Sequence, residues 1–201
     1  MIDERSGPGR RWAEAAYGTG LAVPPLPVEI GDLLADAGAP ARLVAHLRLV
    51  RAVAATVLDW LEATYSGLDV SRDDVLFGAA THDIGKVVHR NELVGPGHDH
   101  ERAGERYLLD RGVAPRCARY AATHASWGDD GIELGDLAVS LADKAWKGSR
   151  VPDLEDRLVH FVADRTDAEP WSVFTALDDL LTAMSTDADA RVRAQGDFPV
   201  T

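Results

Sequence analysis

At 201 residues, with 46% hydrophobic and 27% charged side chains, the chain fits one soluble globular unit better than a disordered protein or two full domains. The formal net charge of -12 and pI near 4.9 disfavour non-specific attraction to duplex nucleic acid or an anionic membrane, and no segment approaches the length of a bilayer span. The single cysteine, Cys117, excludes an internal disulfide and a paired-cysteine zinc site, and it reads as a small apolar helix residue.

The charged amino terminus lacks the apolar core of a secretory signal, so a cytoplasmic location is expected. Residues 1–28 carry the Gly7-Pro8-Gly9 turn and the Pro24-Pro25-Leu26-Pro27 cluster without sustained periodicity. They are expected to form a flexible or surface-draped extension. From Ile30 onward, helical spacing alternates with short Gly, Pro and Asp breaks and no run of strands appears, so residues 29–185 are expected to fold as a single all-α domain.

The first long helix should start near Pro40 and run to about Ala63, burying Leu43, Leu47, Val50, Ala54, Val57 and Leu61, with His46 beside that stripe. A second should follow a Ser71 cap, with Asp74 three residues later, and continue through His82 to about Gly85. Asp99 marks a helix to about Arg111, and Pro115 starts one that ends before Gly128. The Glu133-Leu134-Gly135-Asp136 stretch reads as a turn and helix start. Further helices are expected over 134–147, 154–165 and 171–185, and the tail 186–201 should either extend the last helix or fray.

Chemistry concentrates around Thr81-His82-Asp83-Ile84-Gly85-Lys86. His82 and Asp83 read as two metal ligands, Lys86 as a phosphate anchor one turn on, and the second oxygen of Asp83 allows that residue to bridge two ions. His46, His100, His124 and Asp143 each sit beside apolar positions, which suits side chains that converge between packed helices.

The ordered set His46, His82-Asp83, His100, His124, Asp143 resembles the H…HD…H…H…D signature of the HD-domain superfamily of metal-dependent phosphohydrolases. The doublet occurs as HDIGK, and His100 heads His-Glu-Arg-Ala-Gly, similar to the family's segment at that histidine. His98 competes with His100 for the position, but the Glu and Gly in register favour His100. His89 and His160 match no motif position.

The resemblance implies an HD-type helical bundle. It implies one metal on His46, His82, Asp83 and Asp143, and a second on Asp83, His100 and His124. Four imidazoles and two carboxylates suit Fe, Mn, Co, Ni or Zn better than calcium. The implied reaction is hydrolysis of a small phosphomonoester or nucleotide by metal-activated water, with Asp83 and Lys86 central to catalysis.

Only three lysines occur, Lys86, Lys144 and Lys147, all near the proposed ligands. Lys147, four residues after Asp143, is expected to share its helical face and bind substrate, with Lys144 the weaker candidate. Arg48, Arg51, Arg90 and Arg102 neighbour the motif and read mostly as surface residues, and Trp127 and Trp146 as packing residues. Two other functions fit the same residues: a mixed-valent di-iron oxygenase of HD type, and a non-catalytic nucleotide- or partner-binding module.

Overall fold

The computed structural model describes residues 8–200, and among them there are helices and no strands. In chain order the helices are α1 (Pro8–Tyr17), α2 (Val28–Asp36), α3 (Ala41–Thr64), α4 (Arg72–Ala79), α5 (Asp99–Leu109), α6 (Pro115–Ala118), α7 (Tyr120–Thr123), α8 (Leu134–Ala145), α9 (Pro152–Ala163), α10 (Pro170–Ser185) and α11 (Ala188–Gly196). Two 3-10 turns, Ile84–Val87 and Arg90–Leu93, lie between α4 and α5. No helix among the described residues is long and apolar enough to cross a membrane.

Helix α3 is the centre of the bundle, packed by α1, α4, α8 and α11. That is why its apolar residues run round most of its circumference: Val44, Leu47, Val50, Ala54, Val57, Leu58 and Leu61 are all fully buried. The predicted stripe is buried in full, and the helix boundaries fall within a residue of those expected. Ser71 caps α4 by accepting from the Asp74 amide at 3.4 Å. Glu133 and Asp136 form a reciprocal capping box at the start of α8, where the sequence marks a helix start.

The amino-terminal segment departs from expectation. Residues 1–7 lie outside the described residues, but the stretch that follows is packed rather than draped: Ala15 and Ala16 are fully buried, and Leu21 and Leu26 nearly so. Arg48 supplies the reason. This arginine, read as a surface residue, is only 2% exposed. Its guanidinium donates to the carbonyls of Pro24 at 2.8 Å, Gly18 at 2.7 Å, Ala15 at 3.1 Å and Val23 at 2.5 Å. A turning segment whose carbonyls lack helical partners thereby has them satisfied from α3.

The carboxy-terminal tail does not fray or continue α10. It turns at Thr186–Asp187 into α11, where Arg191 donates to the carbonyls of Trp146 and Met184, both at 2.7 Å, and Phe198 beyond it is buried.

Helix α4 stops at Ala79, short of the expected Gly85. The chain tightens into i to i+3 bonds, Thr81 N to Gly78 O at 3.0 Å and Ile84 N to Thr81 O at 2.9 Å, and Asp83 takes φ -97°, ψ 9°. His82 and Asp83 therefore sit in a tight turn rather than on a helix face. The following turn lies against α5 with almost no space between them: Gly85 and Gly104 meet, and a Cβ on Gly85 would stand 2.6 Å from the Gly104 amide and overlap the His100 carbonyl. Gly85→Ala is expected to destabilise by about 3 kcal/mol or more, since backbone rather than a movable side chain blocks the methyl. Chemical denaturation measures it, and a loss below about 1 kcal/mol would contradict the close approach.

Candidate metal centre

Five elements deliver six polar side chains to one point in the bundle. His46 comes from α3, His82 and Asp83 from the turn after α4, His100 from the first turn of α5, His124 from the residue closing α7, and Asp143 from α8. The four histidines and Asp83 are buried. The two oxygens of Asp83 face different groups. Its Oδ2 lies 3.2 Å from His46 Nε2 and 3.6 Å from His82 Nε2, while Oδ1 lies 3.0 Å from His100 Nε2 and 3.7 Å from His124 Nε2. Asp143 Oδ1 closes the first group, 3.5 Å from His46 Nε2 and 3.4 Å from His82 Nε2.

Outer partners aim the rings. The Nδ1 of His82 meets the Ala79 carbonyl, and that of His124 the Ala121 carbonyl, each at 3.0 Å. Because a carbonyl only accepts, both rings carry a proton on Nδ1 and turn Nε2 inward. His100 Nδ1 is held by Glu92 Oε2 at 2.5 Å, and its buried inward Nε2, though 3.0 Å from Asp83 Oδ1, makes no well-aligned hydrogen bond. His46 Nε2 and His82 Nε2 approach to 3.4 Å. Inward ring nitrogens and two carboxylates suit a divalent cation, and His46-His82-Asp83 and Asp83-His100-His124 each converge closely enough to hold one.

The electrostatics divide the four rings. Burial, with His82 beside it, pushes His124 down to about 3, and burial also lowers His46, which makes both neutral donors. Burial opposes the charged form of His82 and His100 too, but the carboxylates beside them, Asp83 foremost, outweigh it and raise both. Burial alone would raise the carboxyls of Asp83 and Asp143, but the imidazoles around them, His82 foremost, outweigh it and hold both well below the ordinary carboxylate range.

Lys86 Nζ lies 2.6 Å from Asp83 Oδ2, as the 3-10 turn allows by stacking residues three apart. The order of the other two lysines is the reverse of that expected. Lys144 Nζ lies 2.7 Å from Asp143 Oδ2, whereas Lys147 is exposed. The helical register that would have carried Lys147 over Asp143 ends at Ala145. His98 is 84% exposed along its side chain and pairs with Glu101, which leaves His100 as the residue in the cluster. Trp146 is buried, its ring centroid 5.1 Å from that of His46. The Cys117 thiol, pushed up to about 11 by burial and by the Asp74 carboxylate it donates to, takes no part.

Glu92 went unmarked in the sequence, yet it is buried and also accepts from the amides of Asp99 and His100. It packs on Gly97, where a Cβ would collide with its carboxylate. As a positioning residue it fixes the tautomer and tilt of His100. Glu92→Gln is expected to weaken metal binding by roughly 10–100-fold while leaving the helical content unchanged. A metal titration decides this, and an unchanged affinity would remove Glu92 from the centre.

The HD domain family matches residues 43–169, a stretch that contains all six side chains. No curated protein and no solved structure matches the chain. With its ordered His and Asp residues, its all-α fold and this match, the chain belongs to the HD-domain superfamily of metal-dependent phosphohydrolases.

Proposed function

We propose that the protein hydrolyses a small phosphate ester with two divalent cations. His46, His82, Asp83 and Asp143 would hold one, and Asp83, His100 and His124 the other. The observation that carries this reading is the division of Asp83, whose two oxygens each face a separate pair of imidazoles. The nitrogen and oxygen donors suit Fe, Mn, Co, Ni or Zn. Such ions supply acidified water and polarised phosphate oxygens.

The chain's own residues do the rest. The Nδ1 hydrogen bonds of His82, His100 and His124 keep the ring planes fixed, so little reorganisation accompanies reaction. Lys86 lines the cavity beside Asp83 and presents its ammonium to charge developing on a phosphoryl group. Lys144, against Asp143, adds positive charge at the other end. The buried setting limits water to the cavity mouth and strengthens each of these interactions. The partner is a small phosphorylated metabolite, in keeping with a net charge of -12 that leaves only local cations for an anion.

The test is a screen of phosphomonoesters and nucleotides with protein stripped by chelator and reloaded with each metal, in the presence and absence of oxygen. Metal-dependent, oxygen-insensitive phosphate release is expected. Oxygen uptake coupled to an organic substrate would instead establish the oxygenase, and thermal stabilisation by a ligand without turnover would establish a binding module.

A further inference from the structure

The cavity that opens on the Asp83-His46 side of the centre is about 170 Å³, and the HD match contributes only part of its wall. Leu43, Trp146 and Lys86 lie within the matched stretch. Gln195, from the end of α11, and Val200 come from the carboxy-terminal tail, well beyond residue 169.

That tail is anchored at several points. The Arg42 amide donates to Pro199 O at 3.0 Å, its Nε to Phe198 O at 2.7 Å and its Nη2 to Gly196 O at 2.7 Å. Phe198 is buried, with the Arg11 guanidinium 5.1 Å from its ring centroid. Arg42 lies one turn before His46 on α3, so the same helix that presents a histidine to the centre clamps the wall facing it.

Two consequences bear on what can enter. The volume is below the roughly 300–1,000 Å³ typical of pockets for drug-sized ligands, so a compact ester can be held within it whereas the base of a nucleotide would have to extend through its open side. The Arg42 fork is turned to tail carbonyls, so Lys86 is the cationic side chain offered at the Asp83 end, beside the proposed metal ions. Gln195 supplies an amide donor and acceptor to a cavity otherwise walled largely by Pro40, Leu43, Leu93 and Trp146.

We infer that the segment 195–200 is the specificity-determining wall of this site, and that it favours a compact phosphate ester carrying a hydroxyl or carbonyl within reach of Gln195 over a nucleotide. This inference rests on the phosphohydrolase reading for the reaction, but not for the binding preference.

The test compares the full-length protein, loaded with the metal that supports turnover or with manganese if none does, with its Gln195→Ala, Val200→Ala and doubly substituted forms. Glycerol phosphate and AMP serve as the compact and bulky esters, and inorganic phosphate as the reference anion. The wild type should favour glycerol phosphate. In the double variant the AMP to glycerol phosphate ratio of kcat/KM, and of calorimetric affinity, should rise about tenfold or more, the lower end of what one methylene of fit is worth. Ratios that stay within about twofold of wild type, or a wild type that already accepts AMP equally, would overturn the inference. A shift in the affinity ratio without hydrolysis of either ester would uphold the wall and refute the phosphohydrolase. If none of the three ligands binds, both fail.

Discussion

Asp83→Ala is expected to leave the protein with almost no tightly bound metal and to reduce phosphate release by about 10³-fold or more. Loss of an outer hydrogen-bond partner costs roughly 10–100-fold in affinity or activity, and loss of one pre-placed electrostatic partner roughly 10²–10³-fold in turnover. Asp83 is placed to do more than either, because Oδ2 faces His46 and His82 while Oδ1 faces His100 and His124. Neither triad retains a carboxylate shared with the other once it is gone. Asp83→Asn separates ligation from folding, since it keeps the shape and removes the anion. Elemental analysis and turnover should fall together in both variants, with circular dichroism unchanged in the asparagine form. Wild-type metal content and activity in either variant would remove the bridge from the account.

Arg48→Met is expected to have the largest effect on stability, about 3–5 kcal/mol, comparable to breaking a buried charge pair from one side. The methionine keeps much of the stem's volume but none of the donors, and it orphans the carbonyls of Ala15, Gly18, Val23 and Pro24 inside the protein. For a chain of this size the melting temperature should drop by roughly 6–20 °C. Limited proteolysis should also cut first near residues 18–24, because Arg48 is the tie between that turn and α3. A drop under about 2 °C with no new cleavage would mean that α1 is held by its apolar contacts alone.

The bundle and the ligand set were legible for different reasons. Helix α3 announces itself because its burial is carried by side chains at regular spacing, and the Ser71 cap because a hydroxyl three residues before an amide is a local device. The six inward side chains were legible as an ordered set, and the structure brings all six together. The features without a sequence signature depend on backbone or on a distant partner. Arg48 reads as a surface cation because the carbonyls it serves have no signature in residue type. The turn at His82-Asp83 looks helical because a 3-10 turn and an α-helix share their i to i+3 neighbours, and the Lys86–Asp83 pair at 2.6 Å is one that either would allow. Lys144 rather than Lys147 lies against Asp143 because α8 ends at Ala145, which a steady helical register cannot foresee. Glu92 sits in a Gly- and Pro-rich connection eight residues before its histidine, and the tail composition of Asp, Ala and Arg conceals a wall anchored on Phe198.

The most direct test of the two-cation centre is metal counting on wild-type protein purified without oxygen, by elemental analysis before and after dialysis against chelator. Two transition-metal ions per chain are expected, with phosphate release lost on their removal and restored on reloading. A single ion per chain, or phosphate release that survives complete metal depletion, would contradict that centre.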